Sequence, residues 1–232
     1  MNSAIIVAAG QGVRMGGSVS KQYMPLDGMS ILGRTLTAFV ECCFFEEVIV
    51  VVAAGDREYC RRQVINRLDL KQAIRIVVGG RDRQESVFNG LEASNGQDDD
   101  TVLIHDGVRP FVSEDILTQC LAAVKAHGAC IAAVPASDTL KQIGSGGKIA
   151  QTLPREGVWL AQTPQGFRLG LARAAHRQAR AEGFSGTDDA QLVERLGQSV
   201  AVVPGNRANI KITTPDDLLL AEAIWRHGRH PS

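Results

Sequence analysis

Six short apolar runs rich in β-branched residues recur along the chain, at 3–8, 47–53, 74–78, 101–105, 129–134 and 199–203. Between them lie segments with the spacing of amphipathic helices, near 30–42, 56–68, 83–95, 113–127, 168–182, 187–197 and 214–226. The run EVIVVVA at 47–53 is apolar on successive residues, and a strand of that kind must be covered on both faces. Strand then helix, repeated, predicts an α/β fold: a mostly parallel, twisted sheet sandwiched between helices. Ser30, Ser113 and Thr187 stand where side chains cap helix starts, and Pro215 suits a first helical position. With 232 residues at 44% hydrophobic content, the chain can bury one good core, so 1–232 reads as a single domain.

One stretch breaks the alternation. Residues 136–166 contain no amphipathic helix but two short alternating runs, TLKQI and KIAQTL, joined by Gly144-Ser145-Gly146-Gly147. This predicts a β-hairpin that projects from the body as an arm over 136–158. An isolated two-stranded ribbon is marginal in water, so the arm is expected to pack against its copy in a second subunit. A free surface hairpin is the alternative.

Charge and cysteine content narrow the partners. Lys plus Arg and Asp plus Glu number 25 each, so no global field favours nucleic acid or an acidic membrane. The five cysteines, at 42, 43, 60, 120 and 130, form no C-x-x-C pair or Cys/His cluster at metal spacing, and read as reduced core thiols. Residues 3–9 are too short for a signal-peptide core, and no apolar stretch reaches membrane-spanning length. The expectation is a cytoplasmic protein with no nucleic-acid or membrane partner. QDDD at 97–100 reads as a solvated turn.

In an open parallel sheet, ligands bind beyond the carboxyl ends of the strands. After the first strand comes AAGQGVRM, with Lys21 following in SVSKQY. Gly10-Gln11-Gly12 is not a dinucleotide fingerprint, because Met15 stands where the third glycine belongs, and it is not a P-loop, because Gly-Lys-Ser/Thr is missing. What remains is a glycine-rich strand exit whose bare amides can approach an anion, followed by cationic Arg14 and Lys21. GGRDRQESV, HDGVRP and NIKITTPDD follow later strands, bringing Ser86, Asp106, Arg109 and Lys211 to the same rim. Asp106 could hold a divalent metal or a substrate hydroxyl and Arg109 offers a planar fork to phosphate; alternatively the two form an ion pair at a strand-end turn. His105, inside an apolar run, reads as a hydrogen-bonded core histidine. No Ser or Cys elbow and no triad spacing supports hydrolase chemistry.

AAGQGVRM with KQY, then GGRDRQESVFNGL, HDGVRPF, VPASDTLK, LAQTPQGF, TDDA and NIKITTPDDL, in that order over about residues 3–223, resemble the 2-C-methyl-D-erythritol 4-phosphate cytidylyltransferase family. The resemblance implies a Rossmann-like nucleotidyltransferase fold with a protruding β-arm, and a homodimer with shared active sites. It implies that CTP and methylerythritol phosphate, with Mg2+, give the cytidyl diphosphate of methylerythritol and pyrophosphate. By the same resemblance Arg14, Lys21 and Lys211 are catalytic. The nucleotide lies against Ala8, Ala9, Gly10, Gly12, Gly80, Ser86 and Asp106, and Asp106 is nearest the metal. The second substrate meets Asp106, Arg109, Thr163 and Thr187, while Thr139 and Arg155 reach the partner subunit's site.

Such chemistry needs no covalent nucleophile, since a substrate phosphate attacks the α-phosphorus and the protein positions reactants and neutralises charge. Three departures from the family pattern stand out. Ser20 replaces a usual proline, Arg81 stands where an acid can occur, and Gly107-Val108 replace a commoner alanine pair. Two other functions fit the fold: CMP transfer to ribitol 5-phosphate, and a non-catalytic nucleotide-sensing module. Ala8-Ala9-Gly10 and the 159–161 segment favour methylerythritol phosphate over the first, and the joint retention of Arg14, Lys21, Asp106 and Lys211 disfavours the second.

Overall fold

A computed structural model describes residues 1–10, 20–70 and 72–228. Its elements are, in order, β1 (Asn2–Ala8), a 3₁₀ turn over Lys21–Tyr23, β2 (Pro25–Leu26), β3 (Met29–Ser30), α1 (Ile31–Glu41), β4 (Glu47–Val52), α2 (Arg57–Tyr59) and β5 (Ile74–Val78). There follow α3 (Arg83–Ala93), β6 (Thr101–Asp106), α4 (Glu114–His127), β7 (Ala129–Pro135), β8 (Leu140–Ile143), β9 (Ile149–Leu153) and β10 (Trp159–Arg168). The chain closes with α5 (Leu169–Glu182), α6 (Asp189–Arg195), β11 (Ala201–Pro204) and α7 (Pro215–Arg226).

The main sheet runs β11-β7-β10-β6-β1-β4-β5. Its pairings are parallel except for β10, which is antiparallel to both β6 and β7. Successive residues of the central strands feed opposite sides, as the pleat requires. Ala4, Ile6 and Ala8 with Val48, Val50 and Val52 join one buried cluster, under α1 and α4. Ile5, Ile49 and Val51 join the other, with Val87 and Leu91 of α3 and Ala172, Ala175 and Ala179 of α5. Burial on both faces is why these strands read as unbroken apolar runs. A third cluster, Leu26, Ile31, Val108, Phe111, Ile212, Ala221 and Ile224, seats α7 beside the carboxyl end of the sheet.

Ser30 accepts from the Gly33 amide at 3.0 Å and Ser113 from the Ile116 amide at 3.4 Å, as helix caps do. Thr214 and Asp217 form a reciprocal capping box around Pro215. At α6 the cap is Asp188 rather than Thr187, and the helix is shorter than 187–197: the Thr187 hydroxyl bonds Gln191 instead. The expected helix at 56–68 is broken into 3₁₀, α and π turns. Only Cys60 and Val64 are buried along it, too thin an apolar stripe to hold a regular helix. Cys60, Cys120 and Cys130 are buried, but Cys43 is exposed, so not all five thiols belong to the core.

The largest departure is β10. The stretch 159–168 lies inside the sheet, between β7 and β6, not in the connection after the arm. Its polar residues and Pro164 hide it from a hydropathy reading, since proline usually argues against a central strand. The pairing with β7 shifts register between Ala161 and Gln165, which accommodates the proline. The β8–β9 hairpin pairs with no other strand among the described residues, and Ile143, Ile149 and Leu153 on it are exposed.

Candidate active site

Three chain segments shape the carboxyl end of β1. The buried Gln22 amide donates to the Ala8 carbonyl at 2.9 Å and the Gly10 carbonyl at 3.2 Å, so the turn carrying Lys21 is clamped to the strand exit. Tyr23, next along, packs edge-on against Tyr59. At the end of β5 the backbone comes unusually close: a Cβ on Gly79 would lie 2.5 Å from Ala9 Cβ and 2.7 Å from Ser86 Oγ. Ser86 Oγ accepts from the Gly80 amide at 3.1 Å and donates to the Asp82 carbonyl at 2.7 Å, which fixes the turn at the head of α3. The result is a cleft of about 670 Å³. Ala8, Ala9, Gly10, Lys21, Gly80, Ser86, Asp106 and Lys211 all line it. Gly12 and Arg14 lie outside the described residues.

At the end of β6, Asp106 is buried yet surrounded by cations. Lys211 Nζ lies 2.9 Å from Oδ2, Arg83 Nε 3.3 Å from Oδ1, and Arg109 Nε 3.6 Å from Oδ2. Burial alone would raise the carboxyl pKa, but Arg83, Lys211 and Arg109 outweigh it and hold the group well below the usual carboxylate range. Behind it runs a chain of hydrogen bonds. The Asp106 amide donates to Thr163 Oγ1 at 3.1 Å, and His105 Nε2 donates to the Arg109 carbonyl at 3.0 Å. A carbonyl only accepts, so the proton of the neutral ring sits on Nε2, and Thr163 Oγ1 donates to Nδ1 at 3.0 Å. Burial lowers the His105 pKa to about 4, so the ring is neutral near pH 7.

Lys211 reaches this point from the far end of the chain by a buried tie. Asn209 Nδ2 donates to the Thr163 carbonyl at 2.8 Å, the Asn209 carbonyl accepts from Arg109 Nη1 at 2.7 Å, and the Ile212 amide donates to the Val108 carbonyl at 3.0 Å. A second cleft of about 220 Å³ opens on this side, lined by Arg109, Gln162, Thr163, Thr187 and Asp188. It shares Arg83, Asp106 and Lys211 with the larger cleft, so the two meet at the carboxylate.

The structure thus gathers all of the described candidate residues except Thr139 and Arg155. Those two are exposed, on or beside the hairpin, and line neither cleft. The Arg155 guanidinium instead donates to the Ser137 carbonyl. Sequence reasoning missed Arg83, Gln22, Gly79, Asn209 and Asp189. All five stand inside motifs already singled out, KQY, GGRDRQESV, TDDA and NIKITTPDD, but Asn209 and Asp189 act through partners far away in sequence.

The model of the 2-C-methyl-D-erythritol 4-phosphate cytidylyltransferase family matches residues 2–227. The chain belongs to this family. Proteins bearing that name from Geotalea uraniireducens and Geobacter metallireducens are 49% and 51% identical to it. These alignments cover 97% and 95% of this chain and 96% of each relative. The crystal structure of the 4-diphosphocytidyl-2C-methyl-D-erythritol synthase of Anaerococcus prevotii matches with a TM-score of 0.84 at 35% identity, over 97% of this chain and 98% of that one. The mostly parallel sheet between helices is that of the family's Rossmann-like nucleotidyltransferase fold.

Two departures from the cytidylyltransferase pattern gain a physical account. Ser20 has φ −61°, the angle a proline would impose, so the Lys21 turn keeps its shape without the ring. Arg81 is held outward by an ion pair to Glu85 at 3.0 Å. A metal at this site would have to take part of its ligands from the substrate. Among the described residues no cluster of three or more His, Cys, Asp or Glu could hold an ion unaided. Mg2+ is commonly held by one or two carboxylates together with substrate phosphates, and Asp106 beside an open cleft is such a donor set.

Proposed function

We propose that the chain transfers CMP from CTP to 2-C-methyl-D-erythritol 4-phosphate, giving 4-diphosphocytidyl-2-C-methyl-D-erythritol and pyrophosphate. The observation that carries this reading is the junction of two unequal clefts at Asp106, Arg83 and Lys211. A nucleotide in the larger cleft and a polyol phosphate in the smaller would bring phosphate against α-phosphorus at the one point where cations converge. A phosphate oxygen of the acceptor forms a bond to the α-phosphorus, and the bond to the β-phosphate oxygen breaks, releasing pyrophosphate. Negative charge builds on the α-phosphoryl oxygens, where Lys21 and Lys211, with Arg14, stabilise it electrostatically.

The cytosine lies against Ala8, Ala9, Gly80 and Ser86, where small side chains and backbone leave room for a base edge. Gly10 brings a backbone amide to the triphosphate, with Gly12 assigned to the same role, and Arg109, Thr163 and Thr187 line the acceptor's side. Asp106 would hold Mg2+ together with phosphate oxygens of the nucleotide, and the ion would supply neutralisation of triphosphate charge. Asp106 itself is kept ionised by its three cations.

The active unit is a homodimer in which Thr139 and Arg155 serve the partner's acceptor site. The exposed Ile143, Ile149, Trp159 and Leu160 support an arm that is covered in the assembly. Five unpaired cysteines support a reducing compartment, the cytoplasm.

Pyrophosphate release, measured with CTP, Mg2+ and a panel of polyol phosphates, tests the reading. Turnover should be highest with 2-C-methyl-D-erythritol 4-phosphate. Equal or faster turnover with ribitol 5-phosphate, or nucleotide binding without turnover, would refute it.

A further inference from the structure

Arg83 faces two carboxylates at once. Its Nε lies 3.3 Å from Asp106 Oδ1, and its Nη2 lies 2.8 Å from Asp189 Oδ2. Asp189, the first residue of α6, is 2% exposed and lines neither cleft. It is fixed from three sides: its other oxygen accepts from His176 Nε2 at 3.2 Å, and its own amide and that of Ala190 donate to Gln165 Oε1 at 3.0 and 3.1 Å. Gln165 belongs to β10 and His176 to α5, so the backbone of Asp189 is anchored to the main sheet and its carboxylate to a packed helix.

An ionised carboxylate buried this deeply is costly unless it is paired, and here its cationic partner also touches the junction of the two clefts. Burial opposes the Arg83 charge, but Asp189 and Asp106 outweigh it and raise the pKa above the ordinary arginine range. Without Asp189 the guanidinium keeps its charge and loses the group that orients it. It is then free to turn into either cleft, and Asp106 loses a fixed neighbour on Oδ1.

We propose that Asp189 is a positioning residue for the transfer. It holds Arg83 across Asp106, and thereby fixes the carboxylate between the nucleotide and the acceptor. This rests on the reading of the two clefts as a cytidylyl-transfer site. A misplacement of about 1 Å at reacting groups can cost on the order of 10²-fold in rate, so a residue that touches no reactant can still act strongly.

The test is a double-mutant cycle on the full chain, read as steady-state pyrophosphate release. Asp189→Asn keeps shape and removes charge. It should lower kcat roughly 10- to 100-fold while KM for CTP stays within about twofold. Arg83→Gln should fall similarly, and adding Asp189→Asn to it should cost no more than about a further twofold, because both act through one contact. Urea unfolding of each variant separates folded from unfolded protein. If Asp189→Asn does not fold, Arg83→Lys replaces it: an ammonium keeps the charge but cannot span both carboxylates, so kcat should fall as for Arg83→Gln. Near-wild-type kcat in folded Asp189→Asn or in Arg83→Lys, or losses that multiply in the double variant, would overturn the role. A wild-type protein that releases no pyrophosphate would overturn the transfer reading and this role with it.

Discussion

His105 lies one residue from Asp106 and takes no part in that carboxylate's three ion pairs. Its ring is fully buried, with both nitrogens spent on Thr163 and the Arg109 carbonyl. Because its folded pKa is about 4, below the ordinary value near 6.5, the unfolded chain takes up the proton first on acidification. Stability therefore falls between about pH 6.5 and about pH 4, by roughly 3 kcal/mol from this group alone. Urea unfolding of wild type and His105→Gln across that window should show the steeper slope only in wild type. Equal slopes would mean that the ring is charged in the fold. Asp106 is shifted in the same direction, in a lower pH window. Its depressed pKa adds stability above the ordinary carboxylate pKa near 4, which is lost only at more acid pH, so the two titrations separate. On the catalytic side, Lys21→Ala and Arg14→Ala should each lower kcat by roughly 10²-fold or more with little change in KM for CTP, since the charge they meet develops in the transition state. An unchanged kcat with weakened CTP binding would assign them to ground-state binding instead.

At the scale of elements, β10 carries most of what the chain withheld from a linear reading. Hydropathy finds β1 and β4 at once, because both of their faces are apolar. It passes over β10, because Gln162, Thr163 and Gln165 are polar and nonetheless buried. Their partners are Asn206, Asn209, His105, Asp188 and the amides of Asp189 and Ala190, and only the closed fold brings those together. The same holds for the site. The glycine exit, Lys21, Asp106 and Lys211 were legible because strand ends carry function and short motifs mark them, but the Gln22 clamp and the Asn209 tie are tertiary facts. Asp27-Gly28, which forms the turn between β2 and β3 with φ of +50° and +81°, was legible in principle, since Asp-Gly is a strong short-range hairpin signal. The place of β10 inside the sheet also makes it intolerant of volume. A Cβ on Gly166 would lie 2.7 Å from Leu103 Cδ2, 2.7 Å from Val124 Cγ2 and 3.1 Å from Cys130 Sγ. Gly166→Ala should therefore cost about 1–3 kcal/mol of unfolding free energy by overpacking, against a Gly146→Ala control at the exposed hairpin turn, where an added Cβ meets no neighbour within 4 Å. The control is not free of cost, because its φ of +70° disfavours alanine, but that strain is local to the turn and should leave the sheet's cooperative unfolding unbroadened. A Gly166→Ala protein as stable as wild type would place β10 more loosely than its contacts indicate.

For the whole molecule the question is whether one chain makes one site. Within a subunit, Lys21, Asp106 and Lys211 line a common cleft, while Arg155 stands exposed at the foot of the hairpin, outside it. If the arm crosses a two-fold axis, Arg155 of one subunit completes the site whose Lys21 belongs to the other. Arg155→Ala and Lys21→Ala homodimers should then each be nearly inactive. In a mixed dimer, the subunit with intact Lys21 receives the arm with intact Arg155, so one of the two sites is wild type. Random pairing makes about half the dimers mixed and about half of their sites whole, so pyrophosphate release should recover to roughly one quarter of wild type. If both residues act within one chain, every site carries a lesion in every pairing, and mixing restores nothing. Co-expression with two affinity tags isolates the mixed dimer and removes slow subunit exchange as a variable. The isolated heterodimer should then run at about half the wild-type rate per dimer. A tagged heterodimer recovered intact but no more active than its parents would confine the site to a single chain, and would return Arg155 and Thr139 to the status of surface residues on an arm with another purpose.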